Sequence, residues 1–186
     1  MADLFYIIGA SGVGKDSLLD YARAHIAKDD PIVFAHRCIT RPADAGGEHF
    51  VSISEKEFQH REEHGCFAMH WDSHGLRYGI GLEINQWLAK GLNVAMNGSR
   101  AYLQQACWNY PELKPILIRV EPSTLRRRLE DRGRENPEEI QQRLERARAL
   151  NDLKHPNLII INNDDDLSVA GNKLITILTG KMRACA

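Results

Sequence analysis

Leu4-Phe5-Tyr6-Ile7-Ile8-Gly9-Ala10-Ser11-Gly12-Val13-Gly14-Lys15-Asp16-Ser17-Leu18-Leu19 is the stretch on which the fold turns. The uninterrupted apolar residues 4–8 have the length and content of a buried strand. Residues 17–26 place Leu18, Leu19, Ala22 and Ile26 on one face of a helix. Between them lies a turn of the form G-x-x-x-x-G-K, and strand, turn and helix in that order are the setting in which such a turn holds phosphate. Its glycines let successive backbone N–H groups turn inward around phosphate oxygens. The helix N-terminus adds partial positive charge, and Lys15 adds a full one. Gly9, Ala10, Ser11, Gly12, Val13, Gly14, Lys15, Asp16 and Ser17 are therefore the candidate donor-phosphate residues. A strand-to-helix turn without a ligand would need neither the two further glycines nor the lysine.

One position departs from the motif. Asp16 stands where a hydroxyl is expected, Ser17 comes one residue late, and the apolar run 92–96 ends in Asn97 rather than an acid. A carboxylate at Asp16 is a hard oxygen ligand suited to Mg2+. It equally suits the dipole of the helix that follows. Both readings stay open at this point.

Outward from this stretch, apolar runs recur at 32–35, 92–96, 115–120 and 158–161, with helical patterns between most of them, one of which spans 82–90 and stops at Gly91. Strands alternating with helices predict an α/β fold with a largely parallel sheet covered by helices on both faces. Residues 36–78 break that rhythm. Arg41-Pro42-Ala43-Asp44-Ala45-Gly46-Gly47 is turn-rich, and 54–64 reads as a helix, so about 36–80 is expected to be an insert over the active edge. Residues 121–151 are dense in charge. Gly133 and Pro137 punctuate them before a helix carrying Arg143, Arg146 and Arg148, which reads as a hinged flap, with 132–143 as its mobile lid. Within the insert, His60-Arg61-Glu62-Glu63-His64 fits an H-x-x-E-H zinc signature. Its polar surroundings and the lack of a third ligand favour a solvated helix face.

The composition bounds the rest. A chain of 186 residues with 43% hydrophobic content is expected to form a single domain, 1–186. With 24 basic against 25 acidic residues there is no global positive field to draw it onto nucleic acid or anionic membrane. Cys38, Cys66, Cys107 and Cys185 form no C-x-x-C pair, which points to reduced thiols in a cytoplasmic protein. The run 4–8 is too short for a signal h-region or a membrane span, so no membrane association is expected.

Longer matches then accumulate: Gly-Lys-Asp-Ser-Leu-Leu at 14–19, Ala-His-Arg at 35–37, Ile-Thr-Arg at 39–41, Trp71 and Tyr78-Gly79. They continue through Asn97-Gly98-Ser99-Arg100-Ala101, Arg132-Gly133-Arg134-Glu135-Asn136, Glu139-Ile140, Arg143-Leu144 and Asn162-Asn163-Asp164. On these residues nearly the whole chain resembles the guanylate-kinase-like P-loop kinases. Within that group it is most similar to the ribose 1,5-bisphosphate phosphokinase family of bacterial phosphonate degradation, in which an aspartate at the place of Asp16 is part of the pattern.

The resemblance implies that ATP phosphorylates the 1-phosphate of ribose 1,5-bisphosphate, giving 5-phosphoribosyl 1-diphosphate (PRPP) and ADP, with Mg2+ as cofactor. It assigns Lys15 to the donor, and Arg132 and Arg143 to closure over the transferring group. Asn162 and Asn163 are matched to contacts with the adenine end of ATP, where an Asn-rich turn is the other reading. Arg37, Arg41 and Arg100 become candidates for the acceptor phosphates. Tyr78 is a candidate for the sugar or a phosphate, or else a core tyrosine. A phosphate monoester is already a nucleophile at neutral pH, so positioning and charge neutralisation are the work expected of the protein.

Departures from guanylate kinases accompany this. Ala43 and Asp44 occupy the stretch of their second arginine, Met69 stands at the place of their guanine-reading glutamate, and Ile80 follows the glycine where they carry serine. The runner-up within the enzymes is a nucleoside monophosphate kinase. Outside them it is a binding module that has lost catalysis, which would have no need of Lys15, Arg132 and Arg143.

Overall fold

The computed structural model describes residues 2–45, 49–133, 135–150 and 152–181. Gly46, Gly47, Arg134, Asn151 and Cys185, named above, lie outside the described residues. In chain order the elements are β1 (Leu4–Ile8), α1 (Lys15–His25), β2 (Ile32–Ala35), β3 (Arg37–Ile39), β4 (Phe50–Ser52), α2 (Glu55–Glu63), β5 (Phe67–Ser73) and β6 (Leu76–Gly81). They continue with α3 (Glu83–Ala89), β7 (Asn93–Asn97), α4 (Leu103–Asn109), β8 (Lys114–Arg119), α5 (Pro122–Arg132), α6 (Pro137–Leu150), β9 (Ile159–Asn162) and α7 (Leu167–Thr179).

The apolar runs read from the sequence form one sheet, of order β2-β7-β1-β8-β9. β2 runs parallel to β7 from the Ile32 and Asn93 pair onward, and β8 runs parallel to β9 from Ile116 and Ile159. Each run lies within one or two residues of its strand. This is the α/β parallel sheet that the alternation of strands and helices implies.

A second sheet was not legible in the sequence: four strands in the order β4-β3-β6-β5, occupying the stretch read as an insert with one helix. The reason is local. β3 and β4 span three residues each, too few to display a period. β5 is the exception, since its buried Met69 and Trp71 alternate with exposed His70 and Asp72, the pattern of a half-buried strand that the expectation of a turn-rich insert passed over. β5 and β6 form a hairpin closed by the Ser73 and Leu76 pair. Its two-residue turn has positive φ at both positions, 52° at His74 and 72° at Gly75, the turn whose twist suits such a hairpin.

The chain divides into two compact units, Met1–Tyr6 with Pro31–Leu113 and Ile7–Asp30 with Lys114–Ala186. In the first, Phe58 of α2 and Met69 and Ile80 of β5 and β6 are fully buried, as are Ile84 of α3 and Val94 of β7. In the second, α1 packs on α7: Leu18, Leu19 and Ala22 are buried on one helix, and Leu174, Ile175 and Leu178 on the other. α5 packs on α6, with Leu125 and Leu129 buried on the one and Ile140 and Leu144 on the other.

Candidate active site

The donor-side residues belong to the second unit. β1 delivers the chain into the loop, and α1 begins with Gly14 as its N-cap, φ +87°, with no side-chain capping bond. Gly12 has φ +93°. An L side chain is strained at either position, and this left-handed backbone is what glycine permits. A Cβ on Gly12 would also stand 3.0 Å from both Leu125 and Leu129, so α5 buttresses the loop from beneath. Lys15 and Asp16 occupy the first turn of α1, half-buried, while Ser11 and Ser17 are exposed.

Three side chains far along the sequence grip this loop. Asn163, only 3% exposed, donates from Nδ2 to the Val13 carbonyl at 2.9 Å. Its Oδ1 is buried without a hydrogen-bond partner among the described residues. Arg128 donates to the Asn163 carbonyl at 2.8 Å and to the Val13 carbonyl at 3.5 Å. Arg143, on α6, donates from one terminal nitrogen to the Ser11 hydroxyl, while its other terminal nitrogen is 3.1 Å from Glu135 Oε1. Of the residues expected at the adenine end, Asn162 is exposed at the end of β9, whereas the Asn163 amide turns to the loop backbone. Arg132 is exposed in the last turn of α5, before Gly133 ends that helix at φ 62°.

The residues present fit magnesium only if phosphate groups complete its coordination. Among the described residues no three His, Cys, Asp or Glu side chains gather as a metal cage. A single first-turn carboxylate, Asp16, lies on the loop-to-helix junction. One carboxylate supplemented by substrate phosphates is the usual magnesium environment in such sites.

The acceptor-side candidates belong to the first unit. The Arg37 guanidinium stands over the Tyr78 ring, 4.8 Å from its centroid. Trp71 stacks on Tyr78 at 5.6 Å with an interplanar angle of 3°, and on Tyr102 at 5.3 Å. Arg37, Tyr78, Trp71 and Tyr102 thus form a ladder across β3, β6, β5 and the start of α4. Tyr78 itself is half-buried. The Arg41 guanidinium lies 4.2 Å from the Phe50 ring centroid, and the Arg41 carbonyl accepts from Ser52 Oγ at 2.6 Å. Arg41 lines a cavity of about 350 Å³ with Thr40, Pro42, Ser52, Ile53, Ser54 and Glu55. Arg100 is exposed, in a segment pinned at Ser99, whose N–H donates to Tyr6 Oη at 2.8 Å and whose carbonyl accepts from it at 3.0 Å. Burial drives the Tyr6 phenol far above its ordinary pKa, so it stays a neutral donor.

Met69 and Ile80 face each other across β5 and β6 and are both fully buried. At the positions where guanylate kinases were expected to read guanine, this chain has core side chains. In the H-x-x-E-H stretch, the His60 and His64 rings lie 4.3 Å apart and His64 Nδ1 is 2.8 Å from the His60 carbonyl of its own helix.

The reading of sequence missed Arg128 and gave Glu135 no role. A charged run offers no periodic cue as to which of its arginines turns inward.

A phosphate loop on a parallel sheet covered by helices defines the class, a P-loop phosphotransferase. The family model described as guanylate kinase matches residues 1–180. The guanylate kinase of Anaplasma phagocytophilum shares the fold, with a TM-score of 0.65 at 16% identity, covering 98% of this chain and 87% of that one. Ribose 1,5-bisphosphate phosphokinase PhnN of Thiobacillus denitrificans is 53% identical, covering 95% of this chain and 92% of its own. PhnN of Psychromonas ingrahamii is 51% identical, covering 94% and 89%. The chain belongs to the ribose 1,5-bisphosphate phosphokinases, within the guanylate kinase family.

Proposed function

We propose that this protein transfers the γ-phosphoryl group of ATP to the 1-phosphate of ribose 1,5-bisphosphate, giving 5-phosphoribosyl 1-diphosphate and ADP, in cytoplasmic phosphonate catabolism. The observation that carries the reading is 51% and 53% identity to relatives bearing that name, over 94% and 95% of the chain. The burial of Met69 and Ile80 argues the same way. Apolar core positions offer nothing to the polar edge of guanine, and each such group left unpaired costs about 1–3 kcal/mol.

In this reading an oxygen of the acceptor 1-phosphate forms a bond to the γ-phosphorus of ATP as the bond from that phosphorus to the β,γ-bridging oxygen breaks. The acceptor dianion needs no general base. The backbone N–H groups of residues 9–15 and the first turn of α1 cradle the donor phosphates, and Lys15 neutralises charge at their β/γ end. Arg143 and Arg132 neutralise the transferring group, while Arg37, Arg41 and Arg100 hold acceptor phosphates and Tyr78 meets the sugar. Mg2+, held through Asp16 and the ATP phosphates, would supply charge neutralisation at the β- and γ-oxygens.

The test is phosphoryl transfer followed by 31P NMR, with ribose 1,5-bisphosphate and GMP compared in one enzyme preparation. A diphosphate product from the sugar, at far higher kcat/KM than for GMP, is expected. A higher kcat/KM with GMP would make the protein a nucleoside monophosphate kinase instead, the reading its family model leaves next in line.

A further inference from the structure

Glu135 is a charged residue whose side chain is only 4% exposed. Burying a carboxylate is costly unless it is paired and hydrogen-bonded. Oε1 meets Arg143 at 3.1 Å, but Oε2 is buried with no hydrogen-bond partner among the described residues. An arginine facing a carboxylate ordinarily makes two parallel bonds. Here the fork is split, one terminal nitrogen on Glu135 and the other on the Ser11 hydroxyl of the phosphate loop.

The turn that carries Glu135 is itself fixed. Asn136 Oδ1 accepts from the Glu139 N–H at 2.9 Å, and Glu139 Oε2 accepts from the Asn136 N–H at 2.9 Å, a reciprocal cap at the start of α6. Pro137 follows at the first helical position. Glu135 therefore stands just before a doubly capped helix start, and Arg143 lies on the same helix.

We infer that Glu135 is a positioning residue for phosphoryl transfer: its carboxylate holds one arm of Arg143 so that the other arm is aimed at the phosphate loop. A γ-phosphate in the loop then replaces the Ser11 hydroxyl as partner of that arm, and the guanidinium need not reorganise. The inference rests on the phosphotransferase reading for the role of Arg143, though not on the identity of the acceptor.

A double-mutant cycle between Glu135 and Arg143 tests it, using the full-length chain. E135A is expected to lower kcat by roughly 10- to 100-fold, the scale of a misplaced reacting group, with a thermal midpoint close to wild type. E135Q keeps an oxygen acceptor for Arg143 and should recover part of the loss. In the R143A background, Glu135→Ala should change kcat by less than about twofold, because the group it positions is gone. The same cycle read as AMP-PNP affinity by calorimetry involves no acceptor. It therefore decides the role of Glu135 even where ribose 1,5-bisphosphate proves not to be the substrate. Equal losses from Glu135→Ala with and without Arg143 would overturn the inference, as would full activity in E135A. Where E135A fails to fold, the cycle is run with E135Q, and additivity in that cycle overturns the inference in the same way.

Discussion

The Asn163 side-chain amide donates to the Val13 carbonyl at 2.9 Å, joining positions 150 residues apart. The bond places the chain just after β9 beneath the apex of the phosphate loop. It also explains Gly14 a second way, since a Cβ there would stand 2.6 Å from Asn163 Nδ2. Asn163→Ala leaves the Val13 carbonyl without that donor, at a cost of about 1–3 kcal/mol. A lower thermal midpoint and weaker AMP-PNP binding are expected. Asn163→Asp should be worse, because a carboxylate has no N–H to give and faces a carbonyl. Unchanged nucleotide affinity in a folded Asn163→Ala variant would show that the bond does not shape the loop.

Gly14→Ala meets two obstacles, a backbone at φ +87° and the contact with Asn163. Combining it with Asn163→Ala separates them. If the contact dominates, the double variant binds AMP-PNP better than Gly14→Ala alone; if the backbone dominates, at about 1 kcal/mol or more for a left-handed L residue, the second change brings no recovery. The 2.6 Å approach favours the first outcome.

Lys15→Met should leave the fold intact and reduce phosphoryl transfer by about 10²–10³-fold, the usual loss when one preorganised electrostatic contact is removed. Circular dichroism and single-turnover kinetics on the same sample check both halves of the statement. A folded Lys15→Met enzyme turning over near the wild-type rate would mean that the loop is not where the donor phosphates are held.

The aromatic ladder makes a prediction about the acceptor. Trp71 is buried and stacks on Tyr78, over which Arg37 stands. Aromatic pairs contribute about 0.5–1.5 kcal/mol beyond buried area, so Trp71→Phe should keep the fold while loosening Tyr78 and Arg37. The KM for ribose 1,5-bisphosphate should rise several-fold with the KM for ATP unchanged. Tyr78→Phe then separates stacking from hydrogen bonding, since only a role for the hydroxyl raises the acceptor KM when the ring is kept.

How much of this was legible beforehand depended on the length of each signal. The strands of the main sheet could be read because each is an unbroken apolar run, as at Ile116, Leu117 and Ile118, all buried. The loop could be read because Gly12, Gly14 and Lys15 are there for reasons of backbone geometry and charge that act over a few residues. The second sheet could not, because a three-residue strand such as β3 depends on its partners: Cys38 is opposite Gly79 on one side and Val51 on the other, a relation that no local window contains. The grip of Arg128 and Arg143 on the loop is hidden for the same reason. Both sit among other arginines of identical chemistry: the resemblance singles out Arg143 but not its bond to Ser11, and Arg128 is selected only by the packing of α5.

Asp16 gives the last prediction. α1 has Gly14 as its N-cap with no side-chain capping bond, and Asp16 lies in its first turn, where a negative charge near the helix dipole is one structural role for it, worth about 0.3–1 kcal/mol. A metal role asks more of the same carboxylate: it must offer a hard oxygen to magnesium, directly or through a bound water. Asp16→Asn preserves size and an oxygen but removes the charge. If only the dipole matters, it lowers the thermal midpoint slightly and leaves magnesium activation as it was. If magnesium is involved, the concentration of Mg2+ for half-maximal rate at saturating ATP rises, and that is the outcome expected. Asp16→Ser restores the hydroxyl of the usual loop and should recover part of the loss, whereas a dipole role predicts no rescue, since a hydroxyl carries no charge. A magnesium titration of the three proteins at fixed ATP decides it: an Asp16→Asn curve superimposing on wild type would leave Asp16 as a helix-dipole residue alone.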